Sequence, residues 1–279
     1  MALSITPVEN HREREKGVIV YPVYSRRSGG LSVGINLFPD QKRCPFDCPY
    51  CEIFPFSSNA AFSLEQMEND LHFAIGSAQE HNVPVKDICF SGNGEPTLSK
   101  DFGEALKLAS SIRTEMTPSS ELVVITNGVG LLQPAIFSLL HDAAAYPEFN
   151  IWLKLDAGTS GWYQKMNRTT IPFEKLTAKI KEFAHLAPVT IQTMLCAIDG
   201  ECPPYEEAQA WEALVCELAT TAVNGTCGIR KVQIYGKARH APEDPLASSL
   251  PESYLEDRAI SLRRAFADRG ITTPVEFYL

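Results

Sequence analysis

The chain has no run of about eighteen apolar residues, the length a helix needs to cross a bilayer, so no membrane-spanning helix is expected. Its start, Met1 to Lys16, carries charge where a secretory signal would need an apolar core, which points to a cytoplasmic protein. Internal repeats and low-complexity linkers are also absent, leaving one continuous pattern of alternating elements. Basic residues are in the minority: 25 Lys and Arg face 34 Asp and Glu, a net charge of −9. That balance repels polyanions at long range and weighs against an extended nucleic-acid surface. Only Arg26-Arg27, Lys42-Arg43, and Lys237 with Arg239 and His240 offer local basic patches, and each reads equally well as ordinary surface charge. Finally, there is no second CxxC or HxxxH to complete a zinc finger-type site, and no cysteine precedes Cys44.

What the chain does have is Cys44-Pro-Phe-Asp-Cys48-Pro-Tyr-Cys51, three thiols within eight residues. An iron–sulfur cube normally takes four thiolates. A local triplet therefore suggests a four-iron cluster with one iron open to an external ligand. Pro45 and Pro49 lack amide donors and disfavour helix in the residue before them, so a loop is expected. The alternatives are a three-cysteine zinc site completed from a distance, or ordinary thiols. Cys89, Cys196, Cys202, Cys216 and Cys227 are scattered, and most of them read as reduced packing residues. Cys196, near a strand end, has a thiol role only as a minor alternative.

A second motif follows: an apolar run from Asp87 breaks into Gly92-Asn93-Gly94-Glu95-Pro96. It reads as a strand entering a turn whose glycines let backbone approach a ligand closely. Glu95 adds a carboxylate suited to an ammonium group. A side chain at Gly92 or Gly94 is expected to block that approach.

Together, the CxxxCxxC loop with Tyr50 before its last cysteine and the Gly92 to Pro96 turn resemble the radical S-adenosylmethionine (radical SAM) superfamily. Ile125-Thr-Asn127-Gly128, Trp152-Leu-Lys154-Leu-Asp156-Ala, Ile191-Gln192-Thr193-Met194 and Val232-Gln233-Ile-Tyr235-Gly236 extend the likeness from about Gly34 to Ala238, toward its wyosine-synthase-like and activase-like Fe–S oxidoreductases. The resemblance implies a [4Fe–4S] cluster on Cys44, Cys48 and Cys51, with S-adenosylmethionine bound at the open iron. It implies that Gly92, Asn93, Gly94 and Glu95 hold the cofactor's amino group and that Tyr50 lies near the adenine. Asn127, Asp156, Gln192 and Tyr235 are further candidates for cofactor contact, with strand-end capping as the alternative for Asn127 and Gln192. No catalytic residue can be assigned. The implied reaction is reductive cleavage to a 5′-deoxyadenosyl radical that takes hydrogen from a substrate, with flavodoxin or ferredoxin as electron donor. A small molecule, a peptide or RNA would each serve as substrate. A tRNA-modifying wyosine-synthase-like enzyme and a glycyl-radical activase are the alternatives within the superfamily, the first weakened by the missing upstream cysteines. A structural or electron-transfer Fe–S or zinc protein is the alternative outside it.

Strand candidates are Ser32 to Phe38, Asp87 to Ser91, Leu122 to Thr126, Asn150 to Asp156, Val189 to Leu195 and Lys231 to Tyr235, rich in β-branched and aromatic residues. Helical stretches lie between them at Leu64 to His81, Phe102 to Arg113, Leu132 to Ala143, Phe173 to Leu186 and Tyr205 to Thr221. This alternation predicts an α/β fold, a partial (β/α)6 TIM-type barrel with parallel strands. A helix from Pro251 to Arg269 and a strand from Val275 to Leu279 form a C-terminal extension. The expected divisions are an N-terminal extension over 1–30, the core over 31–240 and the extension over 241–279. Ligands bind at the carboxyl ends of strands in such folds, where the motifs fall. Lys154 and Asp156, two apart, share a strand face and form a candidate ion pair. His72, His81, His141 and His185 fall in or near helices and read as surface or packing residues.

Overall fold

The computed structural model describes residues 17–220, 222–223, 226–238, 241 and 244–278. The stretch 1–16, Thr221, Arg239, His240, Leu279 and the Cys227 side chain lie outside the described residues.

The apolar runs become strands: β1 Val20–Ser25, β2 Gly30–Ile35, β3 Val85–Phe90, β4 Glu121–Thr126, β5 Phe149–Lys154, β6 Val189–Leu195, β7 Ile229–Gly236 and β8 Val275–Tyr278. They hydrogen-bond in that sequential order in one mostly parallel sheet. Helices separate the parallel strands: α1 Leu64–Glu80, α2 Phe102–Met116, α3 Pro134–Ala143, α4 Ser160–Asn167, α5 Phe173–Leu186, α6 Tyr205–Thr220 and α7 Glu252–Ala267. From β2 onward this is a (β/α)6 succession closed by β8, the α/β class of a partial TIM-type barrel.

The chain folds as two compact units. One comprises the segment ending at Cys44 with Ile53–Thr126 and Tyr146–Asn150; the other comprises Pro45–Glu52, Asn127–Ala145 and Ile151–Leu279. In the first unit, β1 pairs antiparallel with β2, and β2, β3 and β4 pair parallel. Phe90 on β3 packs edge-on against Phe102 of α2, both fully buried. In the second unit β5, β6, β7 and β8 are all parallel. Every residue of β6 is buried, as expected of a strand covered on both faces. Its polar members need partners there: the Gln192 amide donates to Gln233 Oε1 at 2.7 Å, and Thr193 Oγ1 donates to the Leu155 carbonyl at 2.9 Å.

Among the longer elements, two were not foreseen. β1 contains Pro22 and is half-exposed, so it carries no clean alternation. It is an edge strand, where a proline costs no ladder bond. α4 is only eight residues long with Gly161 near its start, too short for helical periodicity to register. The final helix and strand also belong to the regular pattern, since β8 pairs with β7 from Val275↔Val232 to Tyr278↔Tyr235.

Candidate active site

In the first unit, the turn after β3 is built from glycine and main-chain bonds. Gly92 and Gly94 have φ of +140° and +146°, a region that L side chains rarely adopt. A Cβ on Gly94 would lie 1.9 Å from the Arg43 carbonyl oxygen, and one on Gly92 would lie 2.7 Å from Asn36 Oδ1. The reason for this closeness is a parallel bridge between Arg43 and Gly94. The Arg43 N–H donates to the Asn93 carbonyl at 2.9 Å, and the Glu95 N–H donates to the Arg43 carbonyl at 2.8 Å. The residue before Cys44 is thus sewn to the glycine turn. Asn36, at the end of β2, accepts from the Asn93 N–H at 3.1 Å, and the Asn93 amide donates to the Phe38 carbonyl at 3.0 Å.

Glu95, the carboxylate expected to meet a ligand's ammonium, is tied into the protein through one of its oxygens. It is buried, and its Oε1 accepts from the Thr97 N–H (3.2 Å), Thr97 Oγ1 (2.6 Å) and Thr126 Oγ1 (2.7 Å). Those bonds lock the turn to the end of β4. Gly94 makes room for the Arg43 main chain and Gly92 for the Asn36 side chain.

In the second unit, Pro45–Glu52 runs without helix, as the prolines predict, with a turn closed by the Cys51 N–H donating to the Cys48 carbonyl at 3.0 Å. Cys44, Cys48 and Cys51 are all half-exposed, whereas Cys89, Cys196 and Cys216 are buried and Cys202 is exposed. Burial pushes the Cys48 thiol up to about 11, against donors from Asn167 and Tyr50 that pull the other way. Burial also pushes the Cys196 thiol up to about 12, so it is inert packing at neutral pH, with Met166 sulfur 3.8 Å away.

At the end of β5, Lys154 and Asp156 form a buried ion pair of 2.8 Å. Asp156 also accepts from the Tyr50 hydroxyl and from the Met194 N–H, the latter at 2.8 Å. Lys154 donates to the Tyr235 hydroxyl and lies over the rings of Tyr50 (5.1 Å) and Tyr235 (4.6 Å). Burial alone would lower the Lys154 pKa, but Asp156 and Tyr235 outweigh it and hold the ammonium charged. Burial, with the charge of Asp156 next to it, raises Tyr50 well above the usual phenol range. Tyr50, Asp156 and Tyr235 are therefore brought into one network. Gln192 is fully buried on Gln233, and Asn127 is occupied locally, its Oδ1 accepting from the Val129 N–H at 3.0 Å.

Sequence reasoning missed Asn167, the last residue of α4. Its amide donates toward Cys48 Sγ at 3.4 Å, and its carbonyl accepts from the Asp47 N–H at 3.0 Å. Thr159, a helix-capping residue type just before an apolar Trp162-Tyr163 pair, was the available signal for α4. Glu207 of α6 fixes that cap, taking the N–H groups of Gly158 and Thr159 and the Thr159 hydroxyl. At the other end, Arg168 has left-handed φ of 43° and pairs with Asp244.

No group of three or more His, Cys, Asp or Glu side chains gathered to hold a metal occurs among the described residues. The donor chemistry of the loop nevertheless suits an iron–sulfur cluster. Three thiols lie within one short loop, one of them receives an amide N–H, and the buried Tyr163 hydroxyl has no hydrogen-bond partner among the described residues. No helix among the described residues is long and apolar enough to cross a membrane.

No protein-family model matches the chain. A UPF0026 protein of Helicobacter pylori is 31% identical over 136 residues, which are 46% of this chain and 41% of that protein. Among solved structures, Streptococcus suis SuiB bound to S-adenosylmethionine superposes with a TM-score of 0.66 at 14% identity, over 88% of this chain and 50% of SuiB. A radical SAM methyltransferase from Sphaerobacter thermophilus superposes with a TM-score of 0.63 at 14% identity, over 92% of this chain and 68% of that enzyme. This chain has the fold of the radical SAM enzymes. It spans under half of the H. pylori relative and half of SuiB.

Proposed function

We propose that this protein is a radical SAM enzyme in which Cys44, Cys48 and Cys51 hold a [4Fe–4S] cluster and S-adenosylmethionine binds beside it. The observation that carries this reading is the Arg43–Gly94 bridge, which joins the start of the cysteine loop to the glycine turn, on a fold that SuiB uses with S-adenosylmethionine bound. When bound and reduced, the cluster supplies the electron that splits S-adenosylmethionine into methionine and a 5′-deoxyadenosyl radical, which takes hydrogen from the substrate.

The chain's own residues prepare that chemistry. Gly92 and Gly94 keep the turn free of side chains, and Glu95 holds it rigid from behind through Thr97 and Thr126. Tyr50, fixed by Asp156, presents a ring beside Cys51 for an apolar or aromatic portion of the cofactor. Asp156 and Lys154 neutralise one another, so the site gains polar positioning groups without a net buried charge.

The test is anaerobic reconstitution with iron and sulfide, then incubation with dithionite or reduced flavodoxin and S-adenosylmethionine. Slow formation of 5′-deoxyadenosine and methionine, lost in Cys48→Ala, is expected. S-adenosylhomocysteine or methylthioadenosine as the main product would assign a different bond cleavage and overturn the reading.

A further inference from the structure

We propose that α4 tunes the cluster: the Asn167 amide and the Tyr163 hydroxyl donate hydrogen bonds to the sulfur side of the cluster at Cys48 and raise its reduction potential. This rests on the cluster reading above and goes beyond it, because no sequence motif marks either residue.

Asn167 and Tyr163 are four apart on one helix and so lie on one face of it. Asn167 is 4% exposed and grips the cysteine loop twice, by its amide on Cys48 Sγ and by its carbonyl on the Asp47 N–H. Tyr163 is 3% exposed, with its ring edge-on to Phe46 of the same loop at 5.9 Å. Its hydroxyl has no hydrogen-bond partner among the described residues, a condition that disfavours the folded state unless an acceptor is supplied. With Asn167, Lys154 and Asp156 it borders a cavity of about 10 Å³. A phenol hydroxyl is protonated at neutral pH, so it donates toward an anionic neighbour.

The helix is not free to drift. Glu207 holds its first turn and the Arg168–Asp244 pair holds its last. Donors held rigidly against cluster sulfur favour the reduced form, which carries one more negative charge, and so raise the potential.

The experiment is a potentiometric titration, followed by electron paramagnetic resonance, of reconstituted wild-type protein, Asn167→Leu and Tyr163→Phe. Both variants are expected to keep the wild-type iron content per chain and to shift the midpoint to more negative values, Asn167→Leu by more. Tyr163→Phe removes one oxygen and leaves the ring on Phe46, so it decides the matter alone if Asn167→Leu fails to hold a cluster. Intact clusters with wild-type midpoints would overturn the role of α4. A wild-type protein that binds no iron would instead overturn the reading it rests on, and the proposal with it.

Discussion

Around Gly94 the backbone is held by other backbone, whereas around Asp156 the holding is done by side chains drawn from remote parts of the sequence. The glycine turn is fixed by two main-chain bonds to Arg43 and by inward bonds to Glu95, within residues 36 to 126. The Asp156 network takes Tyr50 from 106 residues upstream, and Lys154 of the same network reaches Tyr235 81 residues downstream. The first arrangement tolerates almost no side chain where the glycines stand. The second depends on both members of a buried ion pair. Geometry is specified by absence of atoms in one region and by electrostatic balance in the other.

The largest effect should come from adding atoms to the first region. Gly94→Val must displace the Arg43 carbonyl and adopt a disfavoured φ. We expect a loss of about 3 kcal/mol or more in urea unfolding and a reduced iron content after reconstitution. Normal iron content with weakened cofactor binding alone would show that the turn faces only the ligand.

A comparable loss should follow from removing one charge from the second region. Lys154→Met leaves the Asp156 carboxylate, 1% exposed in its side chain, without its cation. Breaking a buried pair in this way costs about 3 kcal/mol. The double variant Lys154→Met/Asp156→Leu should recover part of that loss, and strict additivity of the two changes would dissolve the pair as a unit.

The smallest effect concerns pH. Burial raises the Glu207 carboxyl above its ordinary 4.5, more than its donors Thr159 and Gly158 lower it. A raised folded-state pKa gives stability that is complete below pH 4.5 and lost as pH climbs through the raised value. The melting temperature of Glu207→Gln should therefore fall less than that of the wild type on going from about pH 4 to about pH 7. Parallel curves would show that Glu207 titrates as in the unfolded chain.

The same contrast explains what the sequence made legible. Val189–Leu195 and Phe173–Leu186 were read at their observed bounds, because a buried parallel strand and a strongly amphipathic helix announce themselves locally. The cysteine loop and the glycine turn were legible for the same reason. The Lys154–Asp156 pair was legible from its two-residue spacing, whereas Tyr235 could be singled out only through the family resemblance, and its joining to Asp156 through Lys154 could not be read from positions 154 to 235. The inward commitment of Glu95 depends on Thr126, thirty-one residues on, and was equally hidden. Asn167 escaped because its helix is short and its partner is a sulfur across the fold of one unit.

The central claim is that the cysteine loop and the glycine turn serve one cofactor. It is tested most directly by the electron paramagnetic resonance spectrum of the anaerobically reconstituted, dithionite-reduced protein, recorded with and without S-adenosylmethionine. A four-iron signal that changes on addition of S-adenosylmethionine is the expected result. A four-iron signal indifferent to it, or stoichiometric zinc in protein purified without added metal, would contradict the account.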